Sequence, residues 1–128
     1  ASSFVQSMPD GLESEITQGG TNVSGGQRQR LAIARALVVE PEIYVFDDSF
    51  SALDLTTDSR LRAALKPVTR DACMIVVAQR VSTIIDADQI LVLDDGKPVG
   101  VGTHDRLMTE CPTYAEIVDS QRAVAGAL

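Results

Sequence analysis

The chain has 128 residues, 45% of them hydrophobic and 23% charged, which suits one domain or a large piece of one with a sizeable core. No apolar run approaches the roughly 20 residues that cross a bilayer, and residues 1–10 have neither the basic end nor the long apolar centre of a signal peptide, so a role at a membrane would need another segment or subunit to hold the chain there. The formal net charge of -7 argues against a general nucleic-acid surface but is compatible with one nucleotide held by backbone N–H groups and a metal ion.

Residues 1–23 are polar and glycine-bearing, with Pro9-Asp10-Gly11 and Gly19-Gly20 as turn signals; they predict a short helix end followed by a loop. Ser24 with Gln27 three residues later predicts a capping box and a helix over about 25–39. The second half of that helix, from Leu31 to Val38, is apolar almost all round, which predicts burial, and Pro41 lies beyond its end. Ile43 to Phe46 reads as a buried strand tipped by Asp47 and Asp48. A helix over about 55–65 is expected to stop at Pro67. Met74 to Ala78 reads as a second buried strand, beside which Cys73 packs as a small hydrophobe. Ser82 is placed to cap a short helix through Ile85. Gln89 to Asp94 is a third strand, and Asp95-Gly96 is a strong hairpin signal into Pro98 to Val101. His104 to about Arg122 reads as two short helices split near Pro112, with Cys111 in a loop and residues 123–128 frayed.

Strands alternating with helices imply an α/β fold with a largely parallel sheet, a C-terminal hairpin and flanking helices. Ligands in such sheets bind at the C-terminal ends of the strands, and Asp47, Asp48 and Gln79 all fall at such ends. Neither cysteine has a CxxC partner, and His104 has no second histidine, so nothing points to a zinc site.

The string Val23-Ser24-Gly25-Gly26-Gln27-Arg28-Gln29-Arg30 places two glycines at a helix start. There a phosphate can approach the backbone, the helix dipole and free N–H groups favour the anion, and a serine hydroxyl donates one more hydrogen bond. A bare SGG is read as well by a capped helix. The longer string is similar to the signature motif of ATP-binding cassette (ABC) proteins, usually LSGGQ, and Arg30 to Leu37 continues the likeness. Ile43-Tyr44-Val45-Phe46-Asp47-Asp48 resembles a Walker B motif, and Ser51-Ala52-Leu53-Asp54 resembles the D-loop that crosses the cassette dimer interface. Met74 to Ile84 resembles the switch region, and Leu91 to Gly96 leading into Gly102 to Leu107 is similar to the way exporter cassettes end. On that last likeness His104 is a surface or capping residue.

The resemblance implies ATP and Mg²⁺ as cofactors. It gives Ser24, Gly25, Gly26 and Gln27 to nucleotide binding, Asp47 to Mg²⁺ through water, and Asp48 and Gln79 to catalysis. Two positions depart from the family. Asp48 stands where a glutamate normally polarises the attacking water, and its carboxylate is one methylene too short. Gln79 stands where a histidine normally contacts the γ-phosphate; glutamine donates a hydrogen bond but cannot carry a proton near neutral pH. No G-x-x-x-x-G-K-[ST] occurs, and Lys66 and Lys97 lie outside glycine loops. The chain is therefore expected to be the C-terminal half of a cassette. Residues 1–40 would end a helical subdomain, residues 41–128 would be the C-terminal part of the ATPase core, and the P-loop part would be absent.

In this family two cassettes sandwich two ATP molecules, and each site joins one subunit's Walker motifs to the other's signature motif. An intact signature beside a departing Walker B and switch resembles the degenerate-site subunit of a heterodimeric exporter. The implied partners are a second cassette and a transmembrane domain at the cytoplasmic face of the cell membrane, without nucleic acid; the isolated piece would be inactive. The alternatives are a homodimeric exporter with a working site and a soluble ABC-type ATPase without transport.

Overall fold

The structure is a computed structural model that describes residues 1–125; residues 126–128, where the sequence predicts part of a frayed tail, lie outside the described residues. The chain divides into two compact units, Ala1–Val77 and a second from Ala78 onward.

The first unit opens with helix α1 (Ser2–Gln6) and two short 3-10 turns, Gly11–Glu13 and Gln18–Gly20. Phe4 of α1 is buried, and the Arg30 guanidinium lies 5.0 Å from its ring centroid. Helix α2 (Gly25–Val38) begins at the predicted capping box. The Gln27 N–H donates to Ser24 Oγ at 3.2 Å, and the Ser24 N–H donates to Gln27 Oε1 at 2.8 Å. Strand β1 (Ile43–Asp47), helix α3 (Leu55–Val68) and strand β2 (Cys73–Val77) then form a β-α-β unit. The two strands are parallel, in register from Ile43 opposite Cys73 to Asp47 opposite Val77.

The core of this unit joins Ile33, Tyr44, Phe46, Phe50, Leu53 and Leu65. Strand alternation turns Tyr44 and Phe46 to the same face, where their rings stack with centroids 6.0 Å apart, and Phe50 follows at 5.5 Å from Phe46. The opposite face is open: Ile43 is 57% and Val45 64% exposed, and Ile75 and Val77 are exposed on β2. The expectation of buried strands is thus corrected: β1 is buried on one face only, and no residue of β2 is fully buried. The same correction applies to α2, where Ile33 is buried but Val38 is 84% exposed. The core lies along one side of each element, and no layer covers the other side among the described residues. Cys73, expected inside, is exposed for the same reason.

Helix α3 runs one residue past Pro67 rather than stopping before it. Pro67 sits in the last turn, where a missing N–H forfeits a single hydrogen bond and no long helical stretch follows to be kinked. Thr69 closes the helix by donating its N–H and its hydroxyl to the Leu65 carbonyl, at 2.9 and 3.1 Å.

The second unit contains helix α4 (Val81–Ile84), strands β3 (Ile90–Asp94) and β4 (Lys97–Gly102), and helices α5 (His104–Glu110) and α6 (Pro112–Ala125). The strands form the predicted hairpin, antiparallel, with Asp95 (φ 48) and Gly96 (φ 71) supplying the two positive φ angles of a type I′ turn. Val81, Ile90, Val92, Leu107, Cys111, Tyr114 and Val118 make its core. Cys111, expected in a loop, is buried at the junction of α5 and α6. Ser82 lies inside α4; the cap position belongs to Arg80, which makes no side-chain cap bond. Helix α6 continues to Ala125, past the expected end near Arg122. His104 is half-buried, and its Nδ1 lies 2.9 Å from the Tyr114 hydroxyl, which burial pushes above its ordinary pKa. It is an internal partner of α6 rather than a surface residue.

Gly100 is where β4 meets the α5–α6 junction. A Cβ there would lie 2.8 Å from Cys111 Sγ and 3.0 Å from Leu107 Cδ2. Gly100→Ala is therefore expected to overpack this core and lower stability by about 1–3 kcal/mol, read as a fall in the thermal unfolding midpoint.

Candidate functional site

The signature residues sit at the amino end of α2. Ser24 is the extended N-cap (φ -66, ψ 160), and Gly25 and Gly26 are the first two helical residues. Their N–H groups have no carbonyl one turn earlier in the helix, so they belong to the orphan donors of a helix start. Ser24 and Gly25 are exposed. Ser24 Oγ accepts from the Gln27 N–H and still carries its own proton to donate. Gln27 Oε1 is engaged within the capping box.

Gly26 meets a second constraint that the sequence does not announce. A Cβ on it would stand 3.1 Å from the Ala52 carbonyl oxygen and 3.4 Å from Leu53 Cδ2; one on Gly25 would make an ordinary 3.7 Å contact with Ala52 Cβ. The start of α2 is thus packed directly on the Ser51–Asp54 segment, and the two motifs read separately in the sequence form one surface.

That segment is built tightly from the end of β1. Asp47 is the last strand residue and is exposed. Asp48 turns into the left-handed region (φ 48), which aspartate tolerates better than most residues. Its N–H still extends the parallel ladder by donating to the Val77 carbonyl at 3.0 Å. Its own carbonyl accepts from the Ser51 N–H (3.3 Å) and the Ser51 hydroxyl (3.0 Å). Leu53 is buried in the core, whereas Ser51 and Ala52 are exposed. Asp54 caps α3: its carboxylate accepts from the Thr57 hydroxyl at 2.7 Å and the Thr57 N–H at 2.9 Å. Those bonds, the hydroxyl first, hold its pKa below the ordinary 3.8.

Gln29 was not singled out from the sequence, yet its amide ties α2 to this turn. Nε2 donates to the Asp48 carbonyl and to Ser51 Oγ, both at 3.3 Å, while Oε1 accepts from the Ala52 N–H at 3.2 Å. Helical spacing could have found it: Gln29 lies three and four residues beyond Gly26 and Gly25, on their face of α2.

The donor chemistry suits Mg²⁺. Asp47 offers exposed carboxylate oxygens, and no cluster of three His, Cys, Asp or Glu surrounds it among the described residues. Mg²⁺ is commonly held by one or two carboxylates, with water and phosphate oxygens completing its shell. Gln79 lies in the second unit, two residues beyond the end of β2, exposed. Its backbone carbonyl accepts from Gln121 Nε2 at 2.7 Å.

Two outcomes follow from this geometry. Gln29→Leu removes bonds that join α2 to the turn and should lower stability by about 1 kcal/mol, read as a lower denaturant midpoint with an unchanged slope. The Asp54 cap acts in the acid range. Because its folded pKa is depressed, its contribution is complete above the unfolded value near 3.8 and is lost as pH falls through the folded value. Asp54→Asn should therefore flatten the fall in unfolding temperature between about pH 6 and about pH 2.5.

The chain is similar to known proteins over most of its length. Residues 4–51 match the model of the ABC transporter family. An uncharacterised ABC transporter ATP-binding protein of Mycobacterium tuberculosis is 58% identical over 121 residues, 94% of this chain and 20% of that protein. A multidrug resistance ABC transporter ATP-binding and permease protein of Lactococcus lactis is 42% identical over 124 residues, covering 97% of this chain and 21% of the relative. The structure of a bacterial Atm1-family ABC exporter with ATP bound superposes with a TM-score of 0.90 at 39% identity, over 94% of this chain and 21% of that one. The chain spans about one fifth of the length of these relatives. With its motifs in order and its fold shared, the chain is similar to part of the ATP-binding domain of ABC transporters.

Proposed function

We propose that the chain works in a cassette dimer that couples ATP binding and hydrolysis to export, lending its own signature helix to the partner's nucleotide. The observation that carries this reading is the amino end of α2. There the Gly25 and Gly26 N–H groups and the Ser24 hydroxyl share one exposed helix start, held against the Ser51–Asp54 segment by the approach of Gly26 to Ala52. Such a start favours the terminal phosphate of a nucleotide through its dipole and its unpaired donors.

Within this reading Asp47 holds Mg²⁺ through water beside ATP bound by the same chain. The ion would supply charge neutralisation at the phosphates. Asp48 and Gln79 make that site a poor hydrolase. The Asp48 carboxylate falls short of the attacking water, and Gln79 offers the γ-phosphate a neutral hydrogen bond in place of a titratable imidazole. The subunit is accordingly the degenerate-site half of a heterodimer. A second cassette completes both sites, and a transmembrane domain fixes the pair at the cytoplasmic face of the cell membrane. The relative from Lactococcus lactis, named as both ATP-binding and permease protein, supports that last partner. The 128 residues alone would hydrolyse nothing.

Restoring both departures tests the proposal. In the full-length paired transporter, Asp48→Glu with Gln79→His is expected to raise ATP hydrolysis at this site by roughly 10- to 100-fold. Single-turnover measurement with the partner's own site disabled reads that site alone; no gain there would refute the degenerate-site assignment.

A further inference from the structure

Helix α4 begins two residues beyond Gln79. Its N-cap, Arg80, makes no side-chain cap bond, and Ser82 is already inside the helix. The first helical N–H, that of Val81, is one of the orphan donors that a helix start must satisfy. It is satisfied from 40 residues away: Val81 N–H donates to Gln121 Oε1 at 2.9 Å. The other end of the same amide donates through Nε2 to the Gln79 carbonyl at 2.7 Å. One partner accepts and the other donates, so the amide can satisfy both in one orientation only. It grips the backbone on either side of Arg80 as a neighbouring strand would.

Gln121 is itself firmly placed. It lies three residues beyond Val118 and seven beyond Tyr114, on the face of α6 that those two residues bury in the core. Val81, the residue whose N–H it caps, belongs to the same core. The switch backbone is therefore referenced to the C-terminal helix.

We infer that Gln121 is a positioning residue for the switch: its side-chain amide fixes the backbone of Gln79 to Val81, and through it the direction in which Gln79 meets the terminal phosphate. The assignment rests on the role proposed above for Gln79. It makes α6 part of the nucleotide-sensing apparatus: displacement of α6 frees the switch, and a seated α6 holds it ready.

The test uses the full-length paired transporter and a fluorescent ATP analogue displaced by unlabelled ATP or by ADP, at constant Mg²⁺. Gln121→Leu keeps the bulk and removes both bonds. It should lower the preference for ATP over ADP about fivefold, the worth of one ordinary hydrogen bond, while ADP affinity stays constant. Gln79→Ala should give a loss of the same size, and the double variant no further loss, because the two residues act through one contact. Amide exchange of a peptide over residues 78–84 should rise in Gln121→Leu. Equal weakening of ATP and ADP, or additive losses in the double variant, would reduce Gln121 to a structural residue and overturn the assignment. An effect of Gln79→Ala with none of Gln121→Leu would overturn it while leaving the proposed function standing. No effect of either would overturn both.

Discussion

The approach of Gly26 to the Ala52 carbonyl is the constraint on which the first unit's functional surface depends. A hydrogen at that Cα lets α2 rest on the turn that leaves β1, and any side chain would meet backbone at 3.1 Å. With the helix seated, Gln29 reaches the Asp48 carbonyl, the Ser51 hydroxyl and the Ala52 N–H. The capping box then leaves the first N–H groups of α2 beside the same turn. Backbone contact of this kind transmits displacement well, since neither partner has a rotamer with which to absorb it.

Glutamine amides bond backbone at two helix starts and one turn. Gln27 completes the cap of its own helix, Gln29 bridges α2 to the β1–α3 turn, and Gln121 caps α4 from α6. A neutral amide suits this work because it offers a donor and an acceptor about 2 Å apart and bonds both N–H and C=O groups without adding charge. Asp54 does the equivalent task with a carboxylate at the start of α3, where the helix dipole favours negative charge.

Both units keep a one-sided core. Ile43, Val45, Ile75 and Val77 stand exposed on the β1–β2 pair, and Leu91, Leu93, Val99 and Val101 on the hairpin. Ala32 and Ala36 of α2 and its C-cap Val39 line a cleft beside β1 with Ile43, Val45 and Ser49. At about 25 cal/mol per Å² such faces are costly to leave in water. The stability of the described residues is thus carried by the inner faces: the Tyr44–Phe46–Phe50 ring series in one unit and the Leu107–Cys111–Tyr114–Val118 ridge in the other.

The sequence by itself determined what local chemistry dictates. The Ser24–Gln27 capping box, the Asp95-Gly96 turn, the strand ending at Asp47 and the helix beginning at Leu55 all appear where the residues predict them, because each depends on neighbours within four positions. The likeness of its motifs to those of ABC cassettes was legible because it lies in the residue strings themselves. Burial was not: an apolar run records that a residue can be covered, and only the fold decides which face is, so Val45 and Cys73 lie outside while Cys111 lies within. Nor could sequence give contacts that close over distance. Gln29 meets a turn 19 to 23 residues on, and Gln121 meets the backbone of Gln79 and Val81 40 to 42 residues back. Those pairings exist because packing of α2 on the β1–α3 turn, and of α6 on α4, brings backbone groups with unmet hydrogen bonds within reach of an amide, and no spacing along the chain encodes that meeting.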